Sequence, residues 1–452
     1  MILDRLARLA GRTRLGDLRP ATLAAARDVT LDTLGAILAG SRLTENERLA
    51  DLATQRSGLR TATLVGRARK AEPMLAALAN ATAGVALEVD EGNRWGGGHP
   101  AIHVLPAALA VAEELAADGP RFLEALVAGY EVTARLGAAT HARANVHSHG
   151  TWGTAGAAVA VARLRGHAEP ALATVINLAV SMSPANSWTP CFEGATIRNL
   201  YPGRAALQGI LAVHLYECGF TAPRDAAAEV YGTILGEAFD PKALVEGLGA
   251  DDRVERYRIE RNYFKFHACC LYNHPALDAV QALVREHRLE PETVGRISVS
   301  SIPFVERMAD PAPATMLSAK FSVPYAVAAA VVRGAADVTA FGDDAREDPR
   351  IQDLARRVEV RGDGGMSLRE PGKPVARVAI TLRDGRTLSR EAEVVHGDAE
   401  NPRSREELRA KFASLADGVL GSGRARQVAE SVDRLERLKD VRELAALLTT
   451  IR

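Results

Sequence analysis

A chain of 452 residues exceeds what one compact hydrophobic core serves, so two domains are the starting expectation. Its 56 basic and 56 acidic side chains cancel, which removes the field that draws a protein to nucleic acid or an anionic membrane and leaves a small molecule or another protein as partner. Four cysteines, two of them adjacent at Cys269-Cys270, make no disulfide framework and no Cys-x-x-Cys metal or cluster motif.

The start, Met1-Ile2-Leu3-Asp4-Arg5, lacks the basic, apolar and small-residue succession of a signal peptide, and later apolar stretches are broken by charge or glycine. A cytoplasmic protein with reduced thiols is expected. From there to about residue 260 apolar residues recur at three- and four-residue spacing, as in Leu31, Leu34 and Leu38, or Phe122, Leu123, Leu126 and Val127, which predicts a stack of helices. Stretches 105–112 and 155–164 are apolar or small on nearly every face, which requires burial all round, in a large bundle or a dimer. After Glu290, segments 296–302 and 375–382 alternate polar and β-branched residues as half-buried strands do. Asp384-Gly385 then predicts a tight hairpin and antiparallel pairing. Beyond His396-Gly397, Ser404 is a candidate N-cap followed by Glu406 and Glu407, and helix resumes. The predicted fold is mainly α: a large all-α helical body formed by both chain ends (1–263 and 400–452), and a smaller α+β lid with an antiparallel sheet (264–399).

Four stretches concentrate chemistry. Residues 88–103 hold Asp90-Glu91, Asn93, a triple glycine, His99 and His103 between two apolar helices; a solvated loop is the bland alternative. Residues 145–156 carry His147 and His149 ahead of a glycine-rich helix, and a His-x-His pair invites a metal, although the helical context disfavours it. In 196–206, Arg198 and Arg204 flank a Pro-Gly turn where free backbone N–H groups could help hold a carboxylate; a surface pairing is the alternative for Arg204. In 263–278, Lys265, Tyr272 and His274 stand in an apolar, aromatic setting that shifts pKa values, and Cys269-Cys270 reads as a buried pair packing like hydrophobes. Tyr325, in a fifth stretch from Lys320, is as good a core residue as a catalytic one.

In order and spacing these stretches resemble the MmgE/PrpD family over nearly the whole chain. The resemblance rests on 32–40, the acidic loop ending in His99-Pro100, Gly129-Tyr130-Glu131-Val132, His147 ahead of 153–158, 201–206, 265–274, 320–325 and Asn401-Pro402. It implies a helical body with a lid, a homodimer, a pocket between body and lid, and a cofactor-independent, metal-free enzyme acting on a small polycarboxylate. Carried over, the catalytic set is Asp90, His99, His147, Lys265, His274 and Tyr325, with Arg198, Arg204, Asn93 and Tyr272 binding substrate. Dehydratase-like members resemble Asp-Asp-Thr-His where this chain has Asp90-Glu91-Gly92-Asn93, and many carry Lys and His where Arg198 and Tyr201 stand. Methylcitrate specificity is therefore not implied.

Removing a proton beside a carboxylate builds negative charge there, so the site needs a base and cations. Arg198, Lys265 and Arg204 are the candidate clamp, and His99 and His147 the acid and base, with Asp90 orienting one of them. A dehydratase-type lyase is the reading favoured on sequence; decarboxylation of the cis-aconitate type and epimerisation of the iminodisuccinate type use the same parts. A metal hydrolase built on His147 and His149, and a non-enzymatic helical assembly protein, are the rivals.

Overall fold

The computed structural model describes residues 2–369 and 373–450. Its core starts with helix Pro20–Gly40, opened by proline at the first helical position, where no backbone N–H is missed. Helix Pro73–Val85 is capped by the Glu72 carboxylate, which accepts from the Met74 and Leu75 N–H groups. Helices Pro100–Glu114 and Gly153–Leu164 are buried along nearly their whole length, as their uniformly small and apolar composition requires. Close packing is set by glycine: a Cβ on Gly129, in helix Gly119–Ala139, would lie 2.5 Å from the Gly156 carbonyl oxygen of the neighbouring helix.

One hydrophobic cluster runs from Leu3 to Ile259 and takes in Phe412 to Leu448. The C-terminal helix Arg405–Leu420, opened by a capping box between Ser404 and Glu407, lies against Pro20–Gly40. Lys411 on it bonds Asp32 at 2.5 Å and the Val89 carbonyl at 2.7 Å, tying the chain's end to the acidic loop. A second cluster is built mainly from residues 268–388, with helices His274–His287 and Val323–Arg333 against a four-stranded sheet.

That sheet is antiparallel over three of its strands, as expected, and adds a parallel edge strand. Val294–Ser301 and Ala376–Leu382 pair antiparallel, and Ala376–Leu382 pairs with Thr387–Ala392 across the Asp384-Gly385 hairpin. The edge strand Val358–Gly362 runs parallel to Val294–Ser301, because helices Val323–Arg333 and Pro349–Ala355 intervene as a crossover. Among the described residues no helix is long and apolar enough to cross a membrane.

Candidate active site

The acidic loop is pinned from two sides. Gly92 and Tyr263 exchange backbone hydrogen bonds of 3.0 and 2.7 Å, which lays the loop beside the segment leading to Lys265. The contact demands glycine, since a Cβ on Gly92 would meet the Tyr263 phenol at 2.3 Å. Lys320 Nζ then donates to the Leu87 and Ala268 carbonyls, both at 3.1 Å, joining the residues just before Glu88 to those just after Lys265. On the far side, backbone bonds His147 N–H to Asn186 O (2.9 Å) and Trp188 N–H to Asn145 O (3.1 Å) set the His147 ring on Trp188, centroids 3.9 Å apart.

These elements enclose a cavity of about 380 Å³ whose lining includes Glu88, Asn93, His99, His147, His149, Arg198, Tyr263, Lys265 and Tyr272. A second, larger cavity of about 720 Å³ lies beyond Lys265, bordered by Arg403 and Lys411, and no histidine lines it. The histidines gather at the first.

At its floor is an ionic cluster. Glu88 reaches Arg198 at 2.5 Å and Lys265 at 2.9 Å, and Lys265 is 3.8 Å from Asp90. All four side chains are buried. Burial pushes the Glu88 and Asp90 carboxyls up, but Arg198 and Lys265 for the first, and His99 and Lys265 for the second, more than reverse this and hold both below the usual carboxylate range. Burial pushes Lys265 down and Glu88 and Asp90 bring it back above its ordinary value, so it stays charged. The Glu88 backbone has φ +55°, a left-handed conformation unusual for a residue with a side chain, held here by the ion pairs.

His99 opens helix Pro100–Glu114, and its Nδ1–H donates to the Glu91 carbonyl at 2.6 Å, with Asp90 Oδ2 beside it as an ion-pair partner at 3.0 Å. A carbonyl can only accept, so the proton is fixed on Nδ1 and Nε2, 3.4 Å from the Tyr263 hydroxyl, is left as the basic nitrogen. His147 is oriented the opposite way: its Nδ1 accepts the His149 N–H at 3.0 Å, so its proton sits on Nε2, which has no partner among the described residues. Burial, then the charges of Arg198 and His99, hold His147 far below the ordinary imidazole value. It is a neutral hydrogen-bond donor. The His149 ring lies tilted 4.3 Å from His99 and edge-on 4.9 Å from His147, with neither ring nitrogen bonded to a described residue. His103 is spent on structure, donating from Nδ1 to the His99 carbonyl (2.7 Å) and accepting the Gly150 N–H (2.8 Å).

Of the residues singled out from sequence, His99, His147, Lys265, Arg198, Asn93 and Tyr272 share this cavity, and Asp90 stands directly behind His99. The Asn93 side chain is committed to closing its own loop, donating to the Arg258 carbonyl at 2.8 Å and accepting from Gly96 N–H at 2.8 Å, so it forms wall and is not a free ligand. Three residues lie elsewhere. Arg204 is exposed and bonds Asn186, which leaves it outside the anion clamp. His274 donates to the Cys269 carbonyl at 3.2 Å and packs on His267; burial keeps it neutral behind the Lys265 segment. Tyr325 donates its hydroxyl to the Ala340 carbonyl at 2.8 Å inside the second hydrophobic cluster and is a core residue.

The metal reading changes shape as well. Among the described residues one group of three could converge on an ion, Asp90, His99 and His149, with ligand atoms within 4.8 Å of one another. It includes His149 but not His147, so the two members of the His-x-His pair do not converge on one ion there.

Residues 4–240 match the MmgE/PrpD N-terminal domain and residues 267–437 the MmgE/PrpD C-terminal domain. The chain belongs to the MmgE/PrpD family. It is 25% identical to a cis-aconitate decarboxylase of Aspergillus terreus over 96% of this chain and 92% of that protein. It is 26% identical to the cis-aconitate decarboxylase of Homo sapiens at the same coverages, and 26% to that of Mus musculus over 92% and 87%. Family and relatives together make this a lyase-type enzyme. Within the MmgE/PrpD site, Glu88 and Tyr263 were missed by sequence reasoning: Glu88 lay in a stretch already marked, two residues from Asp90, but its ionic partners are remote in the chain.

One acidic neighbour is structural. Burial pushes the Glu91 carboxyl up to about 8, against the Ala101 N–H (2.7 Å) and Tyr130 hydroxyl (3.2 Å) it accepts from. Between pH 4.5 and about 8 the folded chain holds a proton there that the unfolded chain has released. Stability contributed by this group is therefore full at low pH and lost as pH rises through that window. Glu91→Gln is expected to flatten this part of the pH profile in urea unfolding; identical profiles for variant and wild type would contradict the assignment.

Proposed function

We propose that the chain is a cofactor-independent, metal-free lyase that moves a proton at the carbon next to a carboxylate of a small organic acid. The observation that carries this is His99, held by Asp90 and the Glu91 carbonyl with Nε2 as the free base, in a cavity shared with two buried cations. As electrons accumulate on the substrate carboxylate, Arg198, Lys265 and the His147 Nε2–H supply positive charge and a fixed dipole, and Asp90 stabilises the imidazolium.

The relatives favour decarboxylation: Nε2 of His99 first gains a proton from solvent, the bond to the departing carboxylate breaks, CO₂ leaves, and the electron pair left on carbon takes that proton, which returns His99 to the neutral base. Dehydration is the second reading, supported by the Tyr263 hydroxyl 3.4 Å from His99 Nε2. There His99 removes the carbon-bound proton and hydroxide departs with a proton delivered from the tyrosine side. Burial keeps that phenol well above its ordinary value and so protonated.

The test is an NMR screen of cis-aconitate, citrate and 2-methylcitrate in D₂O with the chelator-treated protein. Deuterium incorporation at the product carbon with CO₂ release identifies the decarboxylase, and loss of a hydroxyl identifies the dehydratase. Activity that vanishes with chelator and returns with Zn²⁺ would replace this reading with a metal-dependent one.

A further inference from the structure

The cavity lining has two unlike parts. Its cations are already matched: Arg198 and Lys265 face Glu88 and Asp90, so before His99 is counted that cluster sums to zero. The other cationic side chains on the wall are engaged too. Arg94 is paired with Asp398 at 3.0 Å and Glu400 at 2.7 Å, and Arg143, exposed at the rim, donates to the Thr233 carbonyl at 2.9 Å and the Ile234 carbonyl at 3.2 Å. A substrate with three carboxylates would meet the buried Glu88 carboxylate, and among the described lining cations only Arg143, exposed and bonded to carbonyls, has no acid beside it, so a third carboxylate is poorly compensated in the desolvated part of the site.

Another part of the lining is aromatic. Phe304, in the short helix Pro303–Met308, lies 5.0 Å from Trp188 and 4.9 Å from Tyr272, centroid to centroid, and Phe321 sits beneath Arg198 at 5.3 Å. Trp188 in turn stacks on His147, so the apolar wall abuts the reacting end. Trp188, Tyr272 and Phe304 all remain partly exposed, a surface that gains by being covered. At about 380 Å³ the cavity falls within the range that accepts drug-sized ligands, roughly 300–1,000 Å³.

We infer that the substrate is amphiphilic: one carboxylate-bearing end lies at Arg198, Lys265 and the histidines, and an alkyl or aryl arm lies on Trp188, Tyr272, Phe304 and Phe321. The inference rests on the lyase reading only for which end reacts, and it narrows the polycarboxylate expected from sequence to an acid with an apolar arm.

Calorimetric titration of the whole protein with succinate, 2-butylsuccinate, 2-hexylsuccinate, 2-benzylsuccinate and citrate tests it. Affinity is expected to rise about threefold to fourfold per methylene over the first carbons of the arm, and citrate is expected to bind more weakly than the benzyl compound. Phe304→Ala should reduce the hexyl-to-succinate affinity ratio by about tenfold or more, while Phe304→Leu should largely retain it. A flat series, or citrate as the tightest ligand, overturns the inference. Proton chemistry is read separately, from deuterium exchange into bound acids by wild type and His99→Ala. His99-dependent exchange with a flat series sinks the apolar arm alone, whereas a graded series without exchange sinks the lyase reading alone. No binding by any acid sinks both.

Discussion

Replacing His99 by alanine lowers turnover, and the exchange of the reacting carbon's proton with D₂O, by about two to four orders of magnitude, the usual range for loss of a positioned acid–base group. The fold should survive, because the His99 side chain contributes no helix cap and its backbone carbonyl, which accepts from His103, is untouched. Asp90→Asn is the sharper variant. An amide can still accept from Nδ1–H, so ring orientation is kept, but the charge that stabilises the imidazolium is gone, and the amide's own N–H₂ competes for the same site. A drop of about 10² or more in kcat with little change in KM is expected for Asp90→Asn, since Asp90 stands behind His99 and does not line the cavity. His147→Ala is expected to lose less than His99→Ala, because His147 donates a hydrogen bond from a neutral ring and does not carry the proton. Equal losses in the two histidine variants, or near wild-type rates in His99→Ala, would overturn this division of roles.

Much of the fold could be read along the chain because its signals are local. The spacing of Leu31, Leu34 and Leu38, and the glycine- and alanine-rich stretch through 155–164, declare helix and burial without reference to anything distant. The Asp384-Gly385 hairpin is legible for the same reason. The parallel strand Val358–Gly362 was not, since a five-residue edge strand beside 294–301 is specified by a crossover and not by its own pattern. The site divides the same way. Residue types marked the histidines and cations, yet Tyr325 and His274 carry the same types and are consumed by carbonyls of Ala340 and Cys269. Nothing local distinguishes them from Lys265. Tautomers are equally hidden: His147 and His149 look like equivalent members of a His-x-His pair until the His149 N–H is seen to occupy His147 Nδ1.

Glu88 is where the remote information matters most, and its removal is expected to produce the largest loss of stability among the site residues. Its carboxylate neutralises Arg198 and Lys265, which come from positions more than 100 residues away and have almost no exposure to water. Glu88→Ala leaves two buried cations facing only Asp90, at 3.8 Å from Lys265. Breaking a buried pair by deleting one partner typically costs about 3–5 kcal/mol, because the remaining charge keeps its desolvation penalty and loses its compensation. The positive φ at Glu88 works in the opposite direction by a smaller amount, about 1–3 kcal/mol, and only a glycine would recover it. Glu88→Gly should therefore be less damaging than Glu88→Ala, and Glu88→Gln, which keeps an acceptor but no charge, should fall between Glu88→Ala and wild type. The vacated cations also form an anion site, so formate should raise the unfolding midpoint of Glu88→Ala and Glu88→Gly and leave wild type unmoved. Denaturant midpoints with and without formate check this; a loss in Glu88→Ala below about 1 kcal/mol, in the range of an exposed ion pair, would mean that Arg198 and Lys265 do not depend on Glu88 for their charge.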